Sequence, residues 1–248
     1  MTTAKSAGVE CQVCGSGRLV FLEKKRDIHG AIGDFLLCDQ CFVLTNASAF
    51  AHSLALQVYA SETFYRVDAA ELGSLDKQVE TQRALLSYVL PFVGTPAGKV
   101  LLEIGCGRGL MLSAARRLGF KRAIGVDPNL ETFRQIANHL AFDPEVTAFR
   151  DLEEVSEKVD CVVMWHTLEH IPQPLIFLRQ LGTRLRDGAI LFFQVPQYYQ
   201  PYICATHYYF YNEPSIRRLM ANAGFAILEI GYDVDNQFTT VVGQFGSA

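Results

Sequence analysis

The sequence predicts an α/β fold, a parallel sheet with helices on both faces, behind a small N-terminal four-cysteine zinc ribbon. Three observations carry this reading. From Lys99 onward, short apolar runs alternate with stretches of helical periodicity, the pattern of a doubly wound sheet. The first run, Lys-Val-Leu-Leu-Glu-Ile (99–104), leads into glycines at every second position, Gly105, Gly107 and Gly109. The first 45 residues carry two identical pairs, Cys11-x-x-Cys14 and Cys38-x-x-Cys41.

Each Cys-x-x-Cys pair turns tightly and presents two thiolates to one ion, and two such turns complete a tetrahedral four-sulfur shell. The 23 residues between the pairs slightly exceed the common spacing. They accommodate a hairpin, with Arg18–Glu23 as one strand and Phe35–Leu37 entering the second turn. Gly15 follows Cys14, where a turn donating backbone N–H groups to sulfur favours glycine, whereas Phe42 holds the matching place in the second turn. The closed shell implies structural Zn2+. No strand–helix pattern surrounds either pair, as a redox motif would require. Cys106, Cys161 and Cys204 read as packing residues.

The chain divides into the ribbon (1–45), a helical linker or lid (46–98) and the α/β domain (99–248). Apolar stripes mark the linker at Leu54, Leu56, Val58 and Tyr59 and again at Leu85–Leu90, before the turn cluster Gly94–Gly98. The domain then reads as strand 99–104, helix 109–118, strand 122–127, helix 130–140, strands 146–150 and 159–165, helix 173–186 and strand 189–195. A helix over 214–223 stops at Gly224, and strands at 225–231 and 238–243 close the pattern. Ligands are expected at the carboxyl ends of these strands.

A glycine-rich turn after a buried strand lets backbone approach a ligand closely. Its Gly-x-Gly-x-Gly spacing is one residue short of the dinucleotide fingerprint. Asp127 ends the second apolar run, 22 residues after Gly105, where a carboxylate can take both ribose hydroxyls. Glu103-x-Gly-x-Gly-x-Gly followed by Gly-Val-Asp-Pro (125–128) resembles the class I S-adenosylmethionine-dependent methyltransferases. That resemblance implies a Rossmann-like seven-stranded sheet with its last strand pair antiparallel, and S-adenosyl-L-methionine as cofactor. It implies cofactor contacts at Glu103, Gly105, Cys106, Gly107, Asp127, Pro128, Asp151, Leu152 and Trp165. Glu103 is expected to orient the glycine loop or accept a bond from it, and Asp151 with Leu152 to meet the adenine. Asp151 also suits a helix N-cap, and the two roles are compatible. Arg108 and Leu110 are less informative. Tyr59–Arg66 resembles a tyrosine-rich lid, with Tyr65 as a cofactor contact.

The fourth strand ends at Trp165 and is followed by His166-Thr-Leu-Glu169-His170. Imidazole and carboxylate groups at the carboxyl end of a buried strand suit proton removal, with His170 as base, Glu169 orienting it and His166 as fallback or pocket wall. The segment resembles ubiquinone-pathway O-methyltransferases, where a Glu-x-x-Glu-His run helps place an acceptor and in some a divalent ion. His166 stands here where the first acid would be. Six tyrosines fall within residues 197–211, and this stretch resembles sugar and natural-product methyltransferases. It is expected to wall the acceptor site, with His207, Tyr208 and Tyr209 as substrate contacts, or else to be a packed apolar loop.

Net charge is −4, and the ribbon's five basic residues (Lys5, Arg18, Lys24, Lys25, Arg26) balance five acids (Glu10, Glu23, Asp27, Asp34, Asp39). A nucleic-acid reader should be basic. A small-molecule acceptor methylated at oxygen or nitrogen is therefore favoured over RNA, and over a non-catalytic zinc-bearing interaction protein, which the intact glycine loop opposes. The ribbon-plus-domain order also resembles deoxysugar C-methyltransferases, although their further C-terminal domain does not follow here. No apolar stretch reaches the length of a membrane span and no signal peptide is evident, so a cytoplasmic protein without membrane partners is expected. Oligomeric state leaves no mark in the sequence.

Overall fold

The computed structural model of the chain describes residues 10–15, 17–52 and 72–246. In chain order the strands are β1 (Leu19–Arg26), β2 (Ile32–Cys38), β3 (Leu44–Asn46), β4 (Val100–Ile104), β5 (Arg122–Val126), β6 (Val146–Phe149), β7 (Val159–Trp165), β8 (Leu185–Pro196), β9 (Tyr209–Phe210), β10 (Phe225–Tyr232) and β11 (Phe238–Phe245). Seven of them form one mixed sheet in the order β10-β11-β8-β7-β4-β5-β6. β4 lies parallel to β5 and β7, β5 parallel to β6, and β10 antiparallel to β11. Every residue of β4 is buried, which is why it reads as an unbroken apolar run rather than an alternation.

The described residues pack as two compact units, one of 10–52, 166–183 and 193–246, the other of 72–165 and 184–192. These units run across the boundaries 45/46 and 98/99 read from the sequence. The second unit holds the helices Leu75–Ser87, Leu110–Arg117 and Glu131–His139 with strands β4 to β7. In the first unit the helix Pro174–Gly182 ends earlier than the expected 186. A side chain at Gly182 would meet the Phe245 ring at 2.9 Å.

The expected ribbon hairpin is present as β1–β2, but β3 and β9 extend it to a four-stranded antiparallel sheet, β1-β2-β3-β9. β9 comes from the tyrosine-rich loop, and its neighbours pack on the hairpin. Phe35, Leu44, Ile203 and Phe210 form a buried cluster. The Tyr198 hydroxyl donates to Glu23 (2.8 Å), and the Asn222 amide donates to the Cys14 carbonyl (2.8 Å). The apolar stripe 54–59 and Tyr65 lie outside the described residues. Among the described residues no helix is long and apolar enough to cross a membrane.

Candidate functional site

β4 runs into the loop Gly105–Gly109, where all three glycines have positive φ (+75°, +46° and +72°). The Gly105 and Cys106 N–H groups donate to the Val126 carbonyl (2.7 and 3.2 Å), folding the loop over the end of β5. The glycines then differ in what their missing side chains permit. A Cβ at Gly107 would meet nothing within 4 Å, so that backbone is open to a ligand. At Gly109 a Cβ would strike the Phe133 ring at 2.7 Å, so the third glycine serves helix packing. Cys106 is buried, seated where Gly125 lacks a side chain.

Asp127, expected at the ribose, also holds the glycine loop. Its Oδ2 accepts from the Gly107 N–H (2.9 Å) and its Oδ1 from the Asn129 N–H (2.8 Å). Burial raises the Asp127 carboxyl, and those two N–H donors oppose the rise. Glu103 is buried as well, and its Oε2 meets no hydrogen-bond donor. Burial, with the Asp127 charge beside it, pushes the Glu103 carboxyl well above the usual carboxylate range. Glu103 lines a cleft of about 270 Å³ together with Cys106, Trp165 and Met111. The same cleft is walled by Arg108 and Leu110, which the sequence left uninformative, and by Gln82 from the helix Leu75–Ser87, which no sequence signal marked.

Asp151 is exposed and stands as the N-cap of the 3-10 turn Leu152–Glu154, whose Glu154 carboxylate accepts from the Asp151 N–H (3.0 Å). Leu152 is buried. Pro128 is exposed, and its carbonyl accepts from Arg150 (2.9 Å).

Beyond β7, His166 adopts φ +51°, a left-handed conformation costly for a residue with a side chain. Its N–H donates to the Gln194 carbonyl (3.1 Å) and its ring lies edge-on to Phe238 (4.8 Å). Its side chain is 38% exposed, against 17% for His170. His170 Nδ1 is 2.9 Å from the Thr206 carbonyl, which fixes the proton on that nitrogen and turns Nε2 towards Glu169. Burial lowers the His170 pKa, so the ring is neutral near pH 7. Glu169 is fully buried, and neither carboxylate oxygen has a hydrogen-bond partner.

Tyr208 and Tyr209, expected at the acceptor wall, lie in the packed interior. Both are buried, and the Tyr209 hydroxyl donates to the Pro172 carbonyl (2.7 Å). The Tyr208 N–H donates to the Glu169 carbonyl (2.9 Å), and Tyr209 pairs with Thr45 across β9–β3. Their rings fill space between the ribbon sheet and the turn carrying Glu169, as the packed-loop alternative would have it. His207 is brought against His170, ring centroids 4.6 Å apart.

In the ribbon, Cys11 Sγ lies 3.8 Å from Cys41 Sγ and Cys14 Sγ 3.7 Å from Cys38 Sγ. Zn–S bonds of about 2.3 Å in a tetrahedron require sulfur separations of about 3.8 Å. The Gln40 and Cys41 N–H groups point at Cys38 Sγ (3.4 and 3.5 Å). Gly15 and Phe42 both take positive φ, so the second turn bears the same conformation without glycine. Gly17, which the sequence reading passed over, is the closest packed: a Cβ there would sit 2.1 Å from Cys38 Sγ.

A family model described as a methyltransferase domain matches residues 76–230, more than half of the chain. The chain belongs to the methyltransferase-domain family. Its fold is the one that solved S-adenosylmethionine-dependent methyltransferases have, among them one from Aquifex aeolicus (TM-score 0.56, 18% identity, 73% of this chain and all of that one). Among similar proteins, a ubiquinone biosynthesis O-methyltransferase of Xanthomonas campestris pv. campestris is 34% identical over 112 residues, 43% of this chain and 46% of that protein. One from Ruegeria pomeroyi is 33% identical over 123 residues, 48% of this chain and 45% of that protein. The chain thus spans about half the length of the curated relatives it matches. Magnesium protoporphyrin IX methyltransferase from Synechocystis PCC 6803 with bound S-adenosylmethionine shares the fold. Its TM-score is 0.57 at 17% identity, over 81% of this chain and all of that one.

Proposed function

We propose that the protein transfers the methyl group of S-adenosylmethionine to an oxygen or nitrogen of a small-molecule acceptor, sugar-like or of natural-product type. The observation that supports it most is Glu103, a buried carboxylate with an oxygen lacking any donor, on the wall of the cleft beneath the glycine loop. Such a group fits the ammonium of the cofactor's amino-acid end, and the open backbone at Gly107 fits its close approach. Bound there, the cofactor supplies a sulfonium methyl carbon open to direct displacement. Asp127 keeps the loop in place and has lone pairs left for ribose hydroxyls. Asp151, Leu152 and Pro128 are assigned to the adenine end, Trp165 and Cys106 to the cleft wall, and Tyr65 to the lid. The four ribbon cysteines hold one structural zinc.

Small-molecule acceptors are favoured over RNA by the neutral ribbon and the net charge of −4. Incubation with methyl-labelled cofactor should place label in a panel of hydroxylated and amino small molecules. Label incorporated only into RNA would overturn this acceptor class.

Glu103 makes cofactor binding pH-dependent with a definite sign. In the free protein its carboxyl keeps a proton above the usual carboxylate range, with Asp127 and the Cys106 thiol as its charged or titratable neighbours. An ammonium partner favours the ionised form, so binding releases a proton and affinity falls as pH drops through the free-protein pKa. Calorimetry in buffers of different ionisation heat should detect this release in the native protein and not in Glu103→Gln. Equal proton counts in both would remove the ammonium from Glu103.

Of the two candidate bases, His166 is the more exposed. His166→Ala should lower turnover about 10²-fold with cofactor affinity intact. Preserved turnover at saturation with weakened cofactor binding would instead make His166 part of the wall.

A further inference from the structure

We propose that the ribbon is a positioning element for the turn 168–172: on the zinc reading of its four cysteines, loading them fixes that turn through residues 206–222. The short sulfur separations run between the two cysteine turns, Cys11 to Cys41 and Cys14 to Cys38, so one ion cross-links one turn to the other. Each cysteine turn also holds one end of the helix Glu213–Asn222. The side-chain amide of Asn212, the N-cap, donates to the Phe42 carbonyl after the second pair. The amide of Asn222, the last helical residue, donates to the Cys14 carbonyl of the first pair (2.8 Å). Phe42 keeps a φ of +60° without being glycine, and the Asn212 bond anchors it there.

The residues leading into this helix reach the turn 168–172. They are fixed to the ribbon sheet by the β3–β9 pairing and by Asn46, whose N–H donates to the Tyr208 carbonyl (2.9 Å) and whose amide donates to the Cys204 carbonyl (3.2 Å). From that strand the Tyr208 N–H donates to the Glu169 carbonyl (2.9 Å). The Tyr209 hydroxyl donates to the Pro172 carbonyl (2.7 Å) and the Tyr211 hydroxyl to the Leu168 carbonyl (3.4 Å). His170 Nδ1 donates to the Thr206 carbonyl (2.9 Å). Leu168 and Glu169 are fully buried, so their carbonyls depend on these donors rather than on solvent. Burial raises the Tyr211 hydroxyl most, and the charges of Tyr209, Glu169, Cys11 and Cys41 add to the rise, so the turn and the ribbon thiolates act on one side chain. Without the cross-link between the cysteine turns, the helix loses the fixed spacing of its two anchors and the bonds at 168–172 open more often.

Hydrogen exchange followed by NMR on the full chain tests this, with zinc content measured on the same samples. Chelating the zinc should speed exchange of the Tyr208 N–H and of the His170 Nδ1 proton at least about tenfold, leave the Ile124 N–H of β5 unchanged, and be reversed by returned zinc. Asn222→Ala, which removes the bond to Cys14 and no cysteine, should keep its zinc and speed both protons about fivefold. That variant decides the matter should chelation unfold the chain. Native exchange at both protons in folded, zinc-free protein, or in zinc-loaded Asn222→Ala, overturns the coupling and leaves the zinc reading standing. A protein that binds no zinc overturns the zinc reading, and the coupling with it.

Discussion

Asp127→Ala should weaken S-adenosylmethionine binding about 30- to 150-fold, corresponding to about 2–3 kcal/mol. Two losses combine in this one carboxylate. Its oxygens hold the Gly107 and Asn129 N–H groups at 2.9 and 2.8 Å, and without them the glycine loop is left with the Gly105 and Cys106 bonds to the Val126 carbonyl at the end of β5. The remaining lone pairs are those proposed to receive the ribose hydroxyls. Asp127→Asn keeps one acceptor oxygen and should fall between native and alanine forms. Calorimetry on folded protein checks the series. Unchanged affinity in the alanine variant would move the ribose elsewhere and leave Asp127 a loop tether alone.

Gly17→Ala should abolish stable zinc binding by the ribbon. The φ of Gly17 lies outside the positive range, so alanine meets no backbone strain there. The obstacle is steric: the new methyl would lie 2.1 Å from Cys38 Sγ and 3.3 Å from Cys14 Sγ. The Cys38 thiolate is thereby displaced, while Cys14 Sγ need give only a few tenths of an ångström. Structural zinc in small domains contributes on the order of 10–16 kcal/mol of apparent binding energy, and much of it depends on a complete shell. Zinc released by a thiol reagent should drop from about one equivalent towards none, with a lower melting temperature. Gly231→Ala, whose added Cβ would meet nothing within 4 Å, is the control. Retention of zinc at the native melting temperature in Gly17→Ala would show that the four cysteines do not share one ion.

Local patterns in this chain carried most of the fold. β7 spans Val159–Trp165 as read from the apolar run, and β4, β5 and β6 fall within a residue of their expected limits. These segments are legible because a parallel strand buried on both faces must be apolar throughout, and a helix beside it must repeat its apolar positions every three to four residues. The cysteine pairs and the glycine loop were equally plain, since few other chemistries require those residues at those intervals.

By itself, then, the sequence determined the sheet, the cysteine cluster and the acids at the ends of β4 and β5. Tertiary structure alone decided how those groups divide their work. It turned Asp127 onto the loop, and left a Glu103 oxygen without a donor. It drew Tyr209 into the ribbon sheet through a pairing with Thr45, more than 160 residues away in sequence, and so buried the expected acceptor wall. The same pairing brought His207 to His170. The physical reason is that periodicity reports only which residues are apolar on one element. Which donor finds which acceptor is set by distances between segments remote in the chain, and a buried group's protonation follows from those partners.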